Sequence, residues 1–304
     1  MSEYNLIVIL GPTASGKTAV AAHLASRIGG EIISADSRQV YRQLNLGTGK
    51  DYADYIIDDK TIPYHLIDIV EPGTQYNVYE YQKDFVPVFE DIVKRGKMPV
   101  LCGGSGLYIE AVIQGYKLIH VPVNQPLRDE LEQKPLEELI AILASYKNIH
   151  NNSDIENKKR AVRAIEIEEY CMHHPEIDFS YPEIDPLLIG VRFDRATERQ
   201  RITERLSQRL KAGMVEEVEA LLKSGITPEQ LIYYGLEYKF LTRYLVGEIT
   251  YDEMFAGLNT AIHQFAKRQM TWFRRMELQE MKVHWLDGFM PMEKKVEKIL
   301  ELKG

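Results

Sequence analysis

Cysteine is nearly absent from this chain of 304 residues, which carries only Cys102 and Cys171. Two thiols cannot build a disulfide framework or a cysteine-rich zinc site. Cys102, at the end of an apolar run, is expected to be a small core residue. No apolar stretch approaches the ~20 residues a membrane span needs, and no basic segment followed by an apolar one opens the chain. Neither a membrane partner nor a secretory signal is expected, and the chain reads as cytoplasmic. Internal repeats and low-complexity tracts are also missing. So is a guanine-specificity motif of the form N-K-x-D, which leaves a nucleotide-switched binding protein without support. A convincing Walker B strand is lacking too, because the apolar run around Asp68 continues past it. Basic residues are outnumbered 37 to 45, and the net charge of −8 argues against indiscriminate nucleic-acid binding. A local basic surface could still hold phosphates. The remaining composition, 45% hydrophobic and 27% charged, is that of ordinary globular proteins.

Against these absences stands one strong motif. Gly11-Pro12-Thr13-Ala14-Ser15-Gly16-Lys17-Thr18 follows the apolar run Leu6-Ile7-Val8-Ile9-Leu10 and precedes an alanine-rich helical pattern over residues 19–28. Strand, glycine-bounded loop and helix at the spacing G-x-x-x-x-G-K-T form a phosphate-binding loop. Successive backbone N–H groups point inward, and the helix N-terminus adds partial positive charge. Lys17 supplies a full charge, and the Thr18 hydroxyl is placed to ligate Mg²⁺. A ligand bearing a di- or triphosphate is expected here.

A second strand, residues 31–35, leads into Asp36-Ser37-Arg38-Gln39-Val40-Tyr41. Ligand groups collect at the carboxyl ends of parallel strands, which puts Asp36 on the edge that carries the phosphate loop. Equally, Asp36 could cap a following helix. Residues 44–60 read as a loop over the site, and 65–70 as a third strand in which His65 is a structural residue. A helix over 79–95 and a strand over 98–102 lead to Gly103-Gly104-Ser105-Gly106 and a helix over 107–114. That turn could close on the ligand with Ser105 as hydrogen-bond donor, or its glycines could serve only close helix–sheet packing. Residues 121–185 hold charged helices and five prolines without strand alternation, and read as a helical insertion. A strand over 187–193 then resumes the sheet, and 197–276 is almost wholly helical, with a capping box at Thr250 and Glu253.

Three basic features stand out. Arg201, Arg205 and Arg209 share one helix face, unless Glu198 and Glu204 make it an ordinary solvated one. Lys158, Lys159, Arg160 and Arg163 open a helix whose far end is acidic, an order that opposes the helix dipole. A capping box from Ser153 and Glu156 softens that cost, and phosphates of a partner would explain it better. Finally, no acidic residue lies between Glu253 and Glu277, where Lys267, Arg268, Arg274 and Arg275 flank Trp272 and Phe273. Such interleaving suits RNA, although Trp272 is more readily a core residue with cations around it.

The phosphate loop, the Asp36–Tyr41 segment, His65-Leu66-Ile67-Asp68, Gly103-Gly104-Ser105-Gly106-Leu107-Tyr108, Arg160-x-x-Arg163-Ala164-Ile165-Glu166 and Ala266-Lys267-Arg268-Gln269-x-Thr271-Trp272-Phe273-Arg274 follow in one order. In that order, from near residue 6 to near 275, they resemble the tRNA dimethylallyltransferases. The resemblance implies an α/β fold, a P-loop NTPase-like parallel sheet core over 1–120 and 186–304. To this it adds a helical insertion domain over 121–185 that contacts tRNA, and a helical C-terminal part. It implies transfer of a dimethylallyl group from dimethylallyl diphosphate to N6 of adenine at tRNA position 37, with Mg²⁺, by a monomer. By the same resemblance Asp36 is the general base, and Thr13, Lys17, Thr18 and Arg205 surround the diphosphate and Mg²⁺. Ser105 stands where the family has Thr, and keeps its hydroxyl at the catalytic centre. Asp36, Ser37, Arg38, Gln39, Ser105, Arg128, Lys159, Arg160 and Arg163 match tRNA-contacting positions. The chain departs from the family in a shorter insertion and in Tyr234-Gly235-Leu236-Glu237, which replaces the usual Gly-Tyr-(Lys/Arg). The competing readings are a small-molecule P-loop kinase and an isopentenyltransferase acting on free adenosine phosphates.

Overall fold

The computed structural model describes residues 4–149, 152–175 and 180–304. In chain order its elements are β1 (Leu6–Leu10), α1 (Lys17–Ile28), β2 (Glu31–Ala35), β3 (Ile56–Ile57), β4 (Lys60–Thr61), β5 (Tyr64–His65), α2 (Val78–Lys94), β6 (Pro99–Gly103) and α3 (Gly106–Ile113). Next come α4 (Gln125–Leu131), α5 (Leu136–Tyr146) and α6 (Lys158–His173). The chain closes with β7 (Pro186–Arg192), α7 (Arg195–Lys211), α8 (Met214–Lys223), α9 (Pro228–Tyr233), α10 (Leu236–Leu245), α11 (Tyr251–Leu278), β8 (Val283–Asp287) and α12 (Met292–Lys303). It divides into two compact units, Met1–Tyr116 with Pro182–Gly304, and Lys117–Tyr181.

The larger unit is built on a six-stranded parallel sheet in the order β5-β2-β6-β1-β7-β8. The composition of β1 sets its central place. Leu6, Val8 and Leu10 enter one hydrophobic cluster, Ile7 and Ile9 the other, and none of the five is exposed. A strand apolar on both faces is stable only with helices above and below it. One cluster draws on α2, α3, α7, α8, α10 and α11, and the other on α1 and α12. Each fully buried aliphatic side chain contributes roughly 1.5–3 kcal/mol, so the loop leaving β1 starts from the most firmly held strand. Cys102 is buried in this core, as its position implied, and burial pushes its thiol up to about 12.

Two strands differ from expectation. The third expected strand shrinks to Tyr64–His65, because Leu66 and Asp68 adopt φ of 60° and 56°, which no strand accommodates. A sixth strand, β8, pairs with β7 in parallel although no strand was expected there. It lies at the sheet edge with only Val283 and Leu286 buried, so its apolar signal is weak.

The smaller unit packs α4, α5 and α6 around Leu131, Leu139, Leu143, Ala161, Val162 and Ile165. The insertion begins and ends a few residues before the 121–185 predicted. The cap of α6 is Asn157, whose side chain accepts from the Arg160 N–H, rather than the expected Ser153. The Ser153 side chain lies outside the described residues.

At the opposite end of β2 from the phosphate loop, buried Glu31 meets Arg95, Lys97 and His65, so His65 is structural. Hydrogen bonds from Arg95 hold the Glu31 carboxyl well below its usual range. Burial opposes them, and Lys97 and His65 reinforce them. A carboxyl depressed on folding adds stability above its unfolded value of roughly 4, and that stability is lost as pH falls through the folded value. Glu31→Gln should therefore cost about 1–3 kcal/mol at pH 7. In urea titrations its deficit against the wild type should shrink as the pH drops below 4, whereas a constant deficit would assign the loss to packing.

Candidate active site

The phosphate loop leaves β1 with two backbone requirements. A Cβ on Gly11 would sit 2.5 Å from the Val191 carbonyl oxygen of neighbouring β7, so only glycine lets the chain turn there. Gly16 caps α1 at φ 80°, left-handed, with Lys17 as the first helical residue. The loop amides thus gather over the N-terminus of α1, an anion-binding arrangement. The Lys17 ammonium approaches the Pro12 carbonyl oxygen at 3.5 Å. Burial pulls its pKa down, with the nearby Arg205 and Arg209 adding to this and Asp36 opposing it. Ser15 is buried, and its hydroxyl has no hydrogen-bond partner among the described residues.

The three arginines of α7 share one helix face, as their four-residue spacing implied, and that face is turned to the cavity beside this loop. Arg201 donates to the Ala14 carbonyl at 3.0 Å, and Arg205 reaches the Thr13 hydroxyl at 3.4 Å. Arg205 and Arg209 also bind one carboxylate, Asp51, at 2.6 and 3.2 Å. Asp51 and Asp54 line a cavity of about 510 Å³ with Lys17, Thr18 and the three arginines. Burial would raise the Asp51 carboxyl, but the two guanidiniums outweigh it and hold it below its usual range.

An adjoining cavity of about 220 Å³ is shared by Thr13, Lys17 and Thr18 of the phosphate loop and by Asp36 and Ser105. No helix follows Asp36. Its Oδ1 accepts from the Arg38 N–H at 2.9 Å in a turn, which replaces the expected alternative of a helix cap. The Ser105 hydroxyl accepts from the Ser37 N–H at 3.0 Å and keeps its own proton to donate. That bond joins the loops after β2 and β6. Gln39 is occupied elsewhere: it accepts from Ser34 and donates to the Gly49 carbonyl. Arg38 lies over the Tyr233 ring. The glycines around Ser105 do serve close packing, since a Cβ would collide with the Ala35 oxygen at Gly103 and with the Trp272 ring at Gly106.

Comparison with known proteins gives this geometry a context. The IPP transferase model matches residues 39–276, and the isopentenyl transferase model matches residues 4–63. The chain belongs to the IPP transferase family. Its relatives include tRNA dimethylallyltransferase 2 of Bacteroides fragilis, 60% identical over 296 residues that make up 97% of each chain. Another, tRNA dimethylallyltransferase 1 of Parabacteroides distasonis, is 58% identical over 297 residues, 97% of this chain and 96% of its own. The solved tRNA isopentenylpyrophosphate transferase of Bacillus halodurans superposes with a TM-score of 0.72 at 31% identity, covering 98% of this chain and 95% of its own. A eukaryotic dimethylallyltransferase acting on tRNA shares the fold at a TM-score of 0.76 and 23% identity.

Other residues of this IPP transferase matter to the site without having been singled out. Gln269, inside the basic stretch of α11, accepts from the Thr13 N–H and donates to the Gly104 carbonyl, both at 2.9 Å. Glu217 on α8 accepts from the backbone N–H groups of Asn45, Leu46 and Gly47 and from the Tyr238 hydroxyl. It thereby fixes the loop that brings Asp51 to the cavity. Buried Lys50 donates to the Tyr41 carbonyl and to Asp68. Asp68 therefore serves the loop and not a Walker B site. Gln269 stood in a motif without a role, and no local pattern marks Glu217, because their partners lie far away in sequence. Trp272 is committed to the fold: its Nε1 donates to buried Glu110 at 2.6 Å, and Arg275 covers its ring. Lys267 and Arg274 instead line a groove of about 1040 Å³ with Arg192, Arg195 and Arg199.

Within the smaller unit, Arg128 and Arg163 both pair with buried Glu166. Burial alone would raise that carboxyl, but Arg128, the Asn124 N–H and Arg163 hold it at about 2. Arg160 pairs with Glu156. The start of α6 is thus compensated from within, which corrects the view of an unbalanced basic cluster. Lys159 is exposed and has no ion-pair partner among the described residues.

Replacing Gln269 by Leu strands the Thr13 N–H and the Gly104 carbonyl, at roughly 1–3 kcal/mol for each group left unpaired. Calorimetry should find pyrophosphate binding weakened about tenfold, equivalent to ~1.4 kcal/mol. An unaltered Kd would mean that the phosphate loop holds its shape without α11.

Proposed function

We propose that this IPP transferase family member transfers the dimethylallyl group of dimethylallyl diphosphate to N6 of the adenine at tRNA position 37, beside the anticodon. The supporting observation is a cavity bounded by both the phosphate loop and Asp36. An adenine amine is a poor nucleophile because its lone pair is delocalised into the ring. The free oxygen of Asp36 accepts the N6 proton as the C–N bond forms, and the C–O bond to diphosphate breaks. Positioned general-base catalysis of this kind is worth roughly 10²–10⁴-fold. Lys17, Arg205 and the loop amides stabilise the charge that grows on the leaving diphosphate, and Ser105 donates into the same space.

The Thr18 hydroxyl, with Asp51 and Asp54 lining the same cavity, fits a magnesium ion carried in with diphosphate. Mg²⁺ commonly takes one or two protein oxygens and completes its shell with water and phosphate. It would neutralise part of the leaving-group charge. The adenine has to leave the anticodon stack to reach the cavity. The RNA backbone meets exposed cations, Lys159 and Arg160 on the smaller unit and Lys267 and Arg274 on the larger, and the enzyme acts as a monomer.

Incubation with labelled dimethylallyl diphosphate and either bulk tRNA or adenosine monophosphate, followed by nucleoside analysis, tests the reading. Label should enter tRNA adenosine without added ATP; label in the monophosphate alone would favour a free-nucleotide enzyme, and ADP formation from ATP a kinase. Asp36→Ala should lower turnover by at least ~10²-fold while tRNA still binds. Replacing Lys159 and Arg160 by Ala should make the log–log salt dependence of tRNA binding shallower, by roughly 0.7 for each phosphate no longer neutralised. Pyrophosphate affinity should not change in that double variant.

A further inference from the structure

Glu237 stands near the start of α10, where the resemblance leads one to expect a basic residue. It lines the same cavity as Asp36, Lys17 and Ser105. Three other carboxylates around the phosphate loop are engaged: Asp51 by two arginines, Glu217 by three backbone N–H groups, Asp36 by the Arg38 N–H. The Glu237 side chain has no ion pair and no side-chain hydrogen-bond partner among the described residues. Burial pushes its carboxyl up to about 6, against the pull of its own backbone N–H and of Arg209 and Arg205, with Asp36 adding to the rise. Nor does it hold its helix in place, a task that falls to the adjacent Tyr238, buried and bonded to Glu217. A half-buried carboxyl that faces an active cavity without a protein partner is open to a ligand that can complete its bonding.

The ligand groups expected in this cavity leave little choice. Diphosphate is an anion with acceptors only, and would repel a carboxylate. A dimethylallyl chain has no hydrogen-bond donor. Adenine has one, the exocyclic amine, flanked by ring nitrogens that accept. We propose that Glu237 binds the acceptor base, its carboxyl accepting one N6–H of adenine while Asp36 takes the other proton. The inference rests on the prenylation of adenine proposed above. In its ionised form the carboxyl accepts from N6. In its protonated form it still accepts there, and its O–H donates to the neighbouring ring nitrogen, which gives two parallel bonds along one base edge. The protonated form also spares the cavity a second negative charge beside diphosphate.

The test compares wild type, Glu237→Ala and Glu237→Gln on an anticodon stem-loop RNA carrying either adenine or purine, which lacks the amine, at the target position. Wild type should bind the adenine RNA at least about tenfold more tightly than the purine RNA, since the amine meets both Glu237 and Asp36. Glu237→Ala should reduce that preference by about tenfold, the size of one hydrogen bond to a charged partner, and leave the part that Asp36 supplies. It should also lower kcat/KM for the adenine RNA by about 10- to 100-fold, with the KM for dimethylallyl diphosphate and the Tm unchanged. Glu237→Gln, which keeps both an acceptor and a donor, should recover most of the loss, and it decides the matter should the alanine variant fold poorly. An undiminished preference for adenine in Glu237→Ala, or a loss confined to the KM of the prenyl donor, overturns the assignment. Failure of the wild type to prenylate the adenine RNA would instead overturn the proposed function.

Discussion

The active cavity depends on one side-chain amide. Gln269 joins the phosphate loop after β1 to the glycine turn after β6. Through Ser105 that turn holds the Ser37 backbone, which follows Asp36. Three strand ends are thus fastened in sequence, and a carboxylate on the third is set against the anion cradle on the first. The fastening comes from α11, whose capping box fixes its start at Thr250. Its apolar face, Leu258, Ile262, Ala266, Phe273 and Met276, is buried against the sheet side of the core. Burial of that stripe, rather than hydrogen bonding, supplies the energy that holds the helix in place. Gln269 converts the position into register.

A second support acts from the other side. Glu217 gathers three backbone donors of the loop after β2, and Tyr238 fills the space that Gly47 leaves by having no side chain. Loops that carry function are mobile unless their backbone groups find partners. Here a carboxylate supplies those partners from within the helical C-terminal part, so the same layer of helices holds the loop from above and carries the arginines that face it.

Much of this was legible in the sequence because its causes are local. The phosphate loop needs glycines at fixed offsets, the arginine face of α7 follows from a period of four, and β1 betrays its central place by its unbroken apolar run. What stayed hidden is non-local. Gln269 looks like one more polar residue in a basic stretch until Thr13 and Gly104, each more than 150 positions away, close around it. The turn at Asp36 could not be told from a helix cap, because the same side-chain acceptor serves both. Arg128 and Arg163 were matched to tRNA-contacting positions, and nothing in their own segments shows that Glu166 would be buried between them. β8 was missed because an edge strand with two buried residues carries too little pattern.

Asp51 gives the arginines of α7 a resident counterion. An anion that draws Arg205 and Arg209 to itself has to displace a carboxylate that already holds both. The affinity of the cradle for any such anion is therefore lower than its count of positive charges implies. The same carboxylate remains at hand for both guanidiniums when an anion leaves them. An anion site with a built-in competitor trades some of its grip for easier release.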